Sequence, residues 1–336
     1  MKKKLYYLLC ILFSAALLSS CEHRPPRRVV AIYVSVDQVY AEPILKSFEK
    51  KTGIKVLTVY DVEATKTSGM VNRLIAEKAR PQADVFWNGE FAQTLLLKEQ
   101  GVLTPYRSEK AKDIPVQYLD PDEFWTAFGG RARVILVNKD LVAEDEMPDS
   151  VYDLLSDKWK ANRVAISSPI FGTSATQAAA MYAALGRETA KKFYQEIKTR
   201  GIRIVDGNSV AKDLVIRGEL DWAFVDSDDA CVALQEGNEV EVIFPDQDSF
   251  GTLIIPATVA LIAGSPHPQE AKALIDYLLD PETELQLIKA GLWQMSLRPQ
   301  KIQSPCCPET PVKGMSVSLD KVMRQVTTVR SAWRCF

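Results

Sequence analysis

The chain has 336 residues, long for one hydrophobic core, and its 47% apolar and 25% charged residues are those of a globular protein, not a disordered or fibrous one. Lys and Arg total 41 against 43 Asp and Glu, so a net charge of −2 with no basic stripe offers nucleic acid no electrostatic footprint. Its two histidines, His23 and His267, do not make a histidine-rich zinc site.

Met1-Lys2-Lys3-Lys4 forms a positive start, and Leu5 to Leu18 an apolar run of signal-peptide length, too short and wrongly flanked for a stable spanning helix. Leu18-Ser19-Ser20-Cys21 follows, and small residues before a cysteine at this distance resemble a bacterial lipobox. The resemblance implies lipidation of Cys21 and a mature protein anchored to a membrane, in the periplasm or at the cell surface. Cys231, Cys306, Cys307 and Cys335 remain, too few for a disulfide framework in so long a chain; pairing among the last three in an oxidising compartment is open, with no rule selecting Cys306–Cys335 over a bridge from Cys307.

The polar stretch to Arg28, with two prolines, is a tether. Val29 to Val34 reads as a strand, then Val39, Ile44, Leu45 and Phe48 recur at helical spacing up to Gly53. Ile54 to Tyr60, Gly69 to Lys78, Asp84 to Trp87 and Phe91 to Glu99 continue as strand, helix, strand, helix. That alternation predicts an α/β lobe on a parallel sheet. Arg131 to Asn138 reads as a crossing strand. A second α/β unit follows, with strands at Val164 to Ile166, Ile202 to Val205 and Trp222 to Val225, and helices at Ser174 to Leu185 and Glu188 to Lys198. Leu253 to Ile262 reads as the return crossing, and the helix Gln269 to Leu279, apolar at Ala271, Leu274, Ile275, Tyr277 and Leu278, should pack back on the first lobe. The expected division is 1–21 signal peptide, 22–28 tether, 29–130 with 256–297 as lobe 1, 131–255 as lobe 2, and 298–336 as a C-terminal extension.

Several stretches, in this order, resemble the extracellular solute-binding protein family of ABC importers that includes ferric-iron-binding periplasmic proteins: Val34-Ser35-Val36-Asp37-Gln38, Asp61 to Thr67, Ala83 to Asn88, Arg131 to Val134, Phe171-Gly172-Thr173, Gly207-Asn208-Ser209 and Gly251 to Pro256. The resemblance spans residues 29 to 297. It implies a two-lobed type II periplasmic-binding fold with a ligand cleft between the lobes, two crossing hinge strands, and ABC permease and ATPase subunits as partners. It also implies a monomer that carries no cofactor, with ferric iron as the transported ligand. There is no Gly-x-x-x-x-Gly-Lys-Ser/Thr motif, so the chain is not itself a P-loop ATPase.

Ligands of open parallel sheets bind beyond the carboxyl ends of strands. That rule nominates Ser35 and Asp37 after the first strand, Glu63, Thr65, Lys66 and Thr67 after the second, and Trp87, Asn88 and Glu90 after the third. In the second lobe Thr173, Ser174, Asn208 and Ser209 open helices, where free amides favour an anion, although the same residue types serve as ordinary caps. Lys66 and Arg131 or Arg133 offer positive charge to a ligand, with plain surface charges as the alternative. Asp226-Ser227-Asp228-Asp229 stands where ferric-binding relatives carry adjacent tyrosines. Carboxylates are hard oxygen donors too, so Asp228 and Asp229 with Glu63 are candidates to hold a metal cation, or the amine of a zwitterion or polyamine, with a phosphonate or phosphorylated solute held by the helix openings. Solvated aspartates with Asp226 as a helix cap are the bland alternative. No Gly-x-Ser-x-Gly elbow or cysteine–histidine pair supports an enzyme; carboxylate-based catalysis and a sensor lipoprotein remain as other classes.

Overall fold

The computed structural model describes residues 28–60, 68–170, 172–299, 306–308 and 312–334. Strand β1 (Val29–Val34) is apolar throughout and buried, as a strand with parallel neighbours on both sides must be. It pairs in parallel with β2 (Lys55–Tyr60) and β3 (Val85–Asn88), linked through α1 (Gln38–Thr52) and α2 (Ser68–Ala76). Helix α1 buries Ala41, Ile44, Leu45 and Phe48 and stops at Gly53, whose φ of 71° is left-handed. Val39, expected on the buried face, is 71% exposed, because at about 100° per residue it points away from the face formed by Ala41, Ile44, Leu45 and Phe48. Helix α3 (Ala92–Glu99) and the short β4 (Leu103–Thr104) complete this end.

β5 (Thr126–Asn138) joins the two halves. Its first part pairs antiparallel with β10 (Ile254–Ile262), and from Arg133 onward it pairs with β8 (Trp222–Asp226) and β9 (Val240–Ile243). Beyond β8 the sheet continues in parallel to β6 (Val164–Ser167) and β7 (Arg203–Val205), flanked by α4 (Gly172–Leu185), α5 (Arg187–Arg200), α6 (Asn208–Ile216) and α7 (Ser227–Gln235). The strand order β2-β1-β3-β10-β5-β8-β6-β7 therefore runs through two crossing strands, the two-lobed α/β arrangement of the type II periplasmic-binding fold.

β5 begins five residues earlier than its apolar run suggests, because Gly129 and Gly130 interrupt the pattern. Both are needed there. A Cβ on Gly129 would lie 2.0 Å from the Trp293 ring, at a φ of +53°, and one on Gly130 would lie 2.9 Å from the Ile255 carbonyl oxygen. Gly129→Ala should therefore lower stability by about 1–3 kcal/mol, read as a lower urea midpoint with unchanged slope.

Helices α8 (Pro268–Leu278) and α9 (Pro281–Lys289) follow. Helix α8 buries Ala271, Leu274, Ile275 and Leu278, and its entry is fixed by Asp84, which accepts hydrogen bonds from the Ser265 hydroxyl (2.7 Å) and the His267 amide (2.8 Å). The final helix α10 (Leu319–Arg334) lies along α4. Where the C-terminal extension expected at 298–336 is described it packs on the rest of the fold, with Lys313 and Met315 bonded to Thr252. Cys306, whose pairing among the tail cysteines the sequence leaves open, is disulfide-bonded to Cys231 of α7. Cys335 lies outside the described residues. No described helix is long and apolar enough to cross a membrane.

Candidate functional site

The carboxyl ends of β1, β3 and β8 converge on a cavity of about 300 Å³. Ser35, Asp37 and Tyr40 line it from the β1–α1 side, Arg131 from β5, Asp228 and Asp229 from the first turn of α7, and Leu292 and Trp293 from the segment after α9. Helix α7 turns five residues into this wall: Asp228, Cys231, Val232 and Gln235 at the spacing of one helical face, with Asp229 beside them.

Ligand atoms of Asp226, Asp228 and Asp229 lie within 4.8 Å of one another, but the three carboxylates are not equivalent. Both oxygens of Asp226 are occupied: Oδ1 accepts from Arg133 Nη1 at 2.6 Å and Oδ2 from the Thr173 hydroxyl at 2.7 Å. Asp226 is 3% exposed, and although it stands at the N-cap position of α7 its side chain caps nothing. Asp228 accepts from Arg131 Nη1 through Oδ2 (2.8 Å), whereas its Oδ1 is buried with no hydrogen-bond partner among the described residues. Burial, and then the negative charges of Asp228 and Asp226, push the Asp229 carboxyl up to about 7.

The sign of that shift sets a pH dependence. A carboxyl whose folded pKa lies above its unfolded value of about 3.9 contributes stability below that value, lost as pH rises through the folded pKa. Thermal stability of the ligand-free protein should therefore fall between about pH 4 and about pH 7 by this route, and Asp229→Asn should flatten that part of the Tm–pH profile.

Arg133 stands behind the cavity, 1% exposed. Besides Asp226 it donates to Asn208 Oδ1 at 2.9 Å, and its guanidinium lies over the Phe224 ring at 4.7 Å. Asn208 Oδ1 also accepts from the Ser167 hydroxyl (2.6 Å), which is bonded in turn to Ser174, and Asn208 Nδ2 donates to Thr173 Oγ1 at 3.2 Å. One buried cation thus gathers the openings of α4, α6 and α7. The side chains of Thr173, Ser174 and Asn208, expected to meet an anion, are committed to this network.

The remaining candidates separate by position. Ser35 lines the cavity while its hydroxyl donates to Asn88 Oδ1 at 2.6 Å. Asn88 is fully buried and bonds onward to Thr94 (3.1 Å), so it supports the wall from within. Trp87 is also fully buried, packed against Phe128 at 5.8 Å and Trp293 at 6.5 Å, because β3 is covered on both faces. Glu90 caps α3, accepting from the Ala92 (2.9 Å) and Gln93 (3.2 Å) amides; burial raises its pKa against the pull of those two bonds. Ser209 is exposed and does not line the cavity. Glu63, Thr65, Lys66, Thr67 and Cys21 lie outside the described residues. Tyr40 and Arg131 are cavity residues that the strand-end rule does not nominate; Tyr40 is three residues after Asp37, one helical turn away.

A larger cavity of about 670 Å³ lies between residues 106–126 and the start of α10. Its buried carboxylate, Asp120, is satisfied by Lys98 Nζ (2.5 Å) and the Phe124 amide (2.8 Å). The smaller cleft holds the unpartnered acceptor and is therefore the candidate site.

Residues 81–309 match the family of bacterial extracellular solute-binding proteins. The chain belongs to that family. It is 26% identical over 334 residues to iron uptake protein A1 of Synechocystis, covering 93% of this chain and 90% of that protein. It is 31% identical over 226 residues to a probable ABC transporter periplasmic-binding protein of Sinorhizobium fredii, covering 62% and 59%. A Trichodesmium protein solved with iron and citrate ligands superposes with a TM-score of 0.81 at 23% identity, over 91% of this chain and 98% of that one, which shows the shared fold. The family is one of binding proteins, with periplasmic members of ABC transporters among the relatives.

Proposed function

We propose that this protein is the substrate-binding lipoprotein of an ABC importer, capturing ferric iron or an iron complex outside the cytoplasmic membrane and passing it to a permease. The observation that carries the ligand is the pair Asp228 and Asp229, set side by side on the cavity wall with Asp228 Oδ1 buried and unpartnered. Carboxylate oxygens suit a hard cation, and Asp37 and Tyr40 supply further oxygens across the cavity. The iron and citrate ligands of the Trichodesmium protein and the iron-uptake role in the name of the Synechocystis relative support this reading.

Arg131 favours a second reading. A guanidinium in the same cavity as the two carboxylates offers both signs of charge, which fits an organic zwitterion carrying an amine and a phosphonate or carboxylate.

Thermal-shift measurement on the unanchored domain from Glu22 tests the proposal, using ferric citrate, phosphonates, polyamines and sugar phosphates. A ligand at a hundredfold excess over its Kd adds about 2.7 kcal/mol of stability. A shift with ferric citrate supports the iron reading; a shift only with the organic ligands overturns it and leaves the importer. Anchoring is tested separately, since labelled palmitate should enter the wild-type chain and be absent from Cys21→Ser.

A further inference from the structure

Nine residues make a helix that is marginal by itself, so the position of α7, and of the carboxylates on it, depends on what holds its two ends. The first turn is held by hydrogen bonds: the Ala132 amide donates to Ser227 Oγ at 2.9 Å, and the Ser227 hydroxyl donates to Gln294 Oε1 at 3.0 Å. The second turn is held covalently. Cys231, one helical turn after Asp228 on the cavity-lining face, is joined to Cys306 across 75 residues of sequence, with Cα atoms 5.2 Å apart.

The segment that carries Cys306 comes between two fixed points. Upstream, Arg298 donates to Glu284 Oε2 (2.7 Å) and to the carbonyls of Lys110 (3.0 Å) and Leu279 (2.6 Å), on the β1–β4 side. Downstream, the Lys313 carbonyl accepts from the Thr252 amide (3.0 Å) and the Lys313 amide donates to Gln247 Oε1 (2.7 Å), on the other side of the crossing strands. Described residues on the two sides of Cys306 are thus bonded to different halves, and the disulfide fastens Cys306 to the wall of the cleft.

We propose that the Cys231–Cys306 disulfide positions the carboxylate-bearing helix and makes capture by this cleft dependent on the oxidised state of the protein. It rests on the reading of the cleft as the binding site and of the chain as exported, since such bridges persist outside the cytoplasm. The bond forms by thiol–disulfide exchange with an oxidised dithiol protein: the Cys231 and Cys306 sulfurs join, and their two protons and two electrons pass to the partner, which leaves as a dithiol. In the reduced chain the second turn of α7 is released while Ser227 still holds the first. The binding protein is then completed only after export, in the compartment where its ligand is met.

Deuterium exchange tests this on the intact wild-type chain, before and after reduction with dithiothreitol, and on Cys306→Ser/Cys307→Ser, in which the neighbouring cysteine cannot replace the lost one. Amides of residues 228–235 should exchange at least tenfold faster in both reduced and substituted forms, with β1 and β3 unchanged, and the Kd for ferric citrate should rise at least tenfold in the double variant. Unchanged exchange in this helix, an equal rise along the whole chain, or faster exchange with an unaltered Kd overturns the proposal. If the oxidised wild type does not bind ferric citrate, the iron reading has failed, and the exchange comparison alone decides the role of the disulfide.

Discussion

Arg133→Met is expected to lower the free energy of unfolding by about 3–5 kcal/mol, a large part of the stability of an ordinary domain. The guanidinium is 1% exposed and Asp226 3% exposed, so the substitution leaves a carboxylate charged, buried and without its cation. The loss is that of an unpaired buried charge more than that of the attraction itself, since two ions taken out of water recover little beyond their desolvation. Removing the charge on the other side therefore distinguishes the two. Arg133→Met with Asp226→Asn should regain more than half of the loss, because an amide can still accept from Thr173 at low desolvation cost. Urea unfolding reads both variants. A loss below about 1 kcal/mol for the single substitution would mean that water reaches the pair, as at a surface bridge.

This arginine also shows where sequence reading reached its limit. Arg131 and Arg133 stand two apart on one strand, and the sequence presents them as equal candidates to meet an anion. The strand changes partners between Ala132 and Arg133, and only the second arginine falls opposite Asp226 in the β5–β8 register. Arg131 is left to the cavity and to Asp228. Register is a long-range property, fixed by the packing of both halves, and 93 residues separate Arg133 from its partner.

The local elements were legible for the opposite reason. Val29–Val34 and Trp222–Asp226 are buried on both faces and carry nearly unbroken apolar runs, and Gly53 marks the end of α1 with a left-handed turn. The start of β5 was hidden because Gly129 and Gly130 read as a break, whereas a ring and a strand backbone crowd them. Trp87 stands at a strand end, but β3 is buried on both faces, so its ring meets Phe128 and Trp293 and not the cavity. The rule that ligands gather at strand ends gave Ser35 and Asp37, and the family resemblance gave Asp228 and Asp229, all of which line one cavity, but neither speaks to Tyr40, which arrives through a helical turn, or to Cys306, whose partner lies 75 residues away.

The ligand's charge can be read from the opposite responses of two substitutions in that cavity. Asp228→Ala removes a hard oxygen donor and leaves the Arg131 guanidinium without its counter-charge, since Arg131 Nη1 donates to Asp228 Oδ2. For a ferric ion both changes oppose binding, and because the pair is partly exposed, with side chains 29% and 36% accessible, the loss should be smaller than for a buried pair, about 1–2 kcal/mol, a rise in Kd of about 5- to 30-fold. Arg131→Ala acts the other way on a bare cation: it removes a competing positive charge and frees Asp228, so affinity should increase. An anionic or zwitterionic solute reverses the second sign, because Arg131 is then its anion contact, and Arg131→Ala weakens binding. Titration calorimetry of both variants with ferric citrate and with an aminophosphonate separates these cases. Loss in Asp228→Ala with gain in Arg131→Ala identifies a metal held by carboxylates. Loss in both identifies a ligand that bridges the two charges, a ferric ion still carrying its anion if ferric citrate shows it and an organic zwitterion if the aminophosphonate does. Unchanged binding in both would remove the α7 carboxylates from the site.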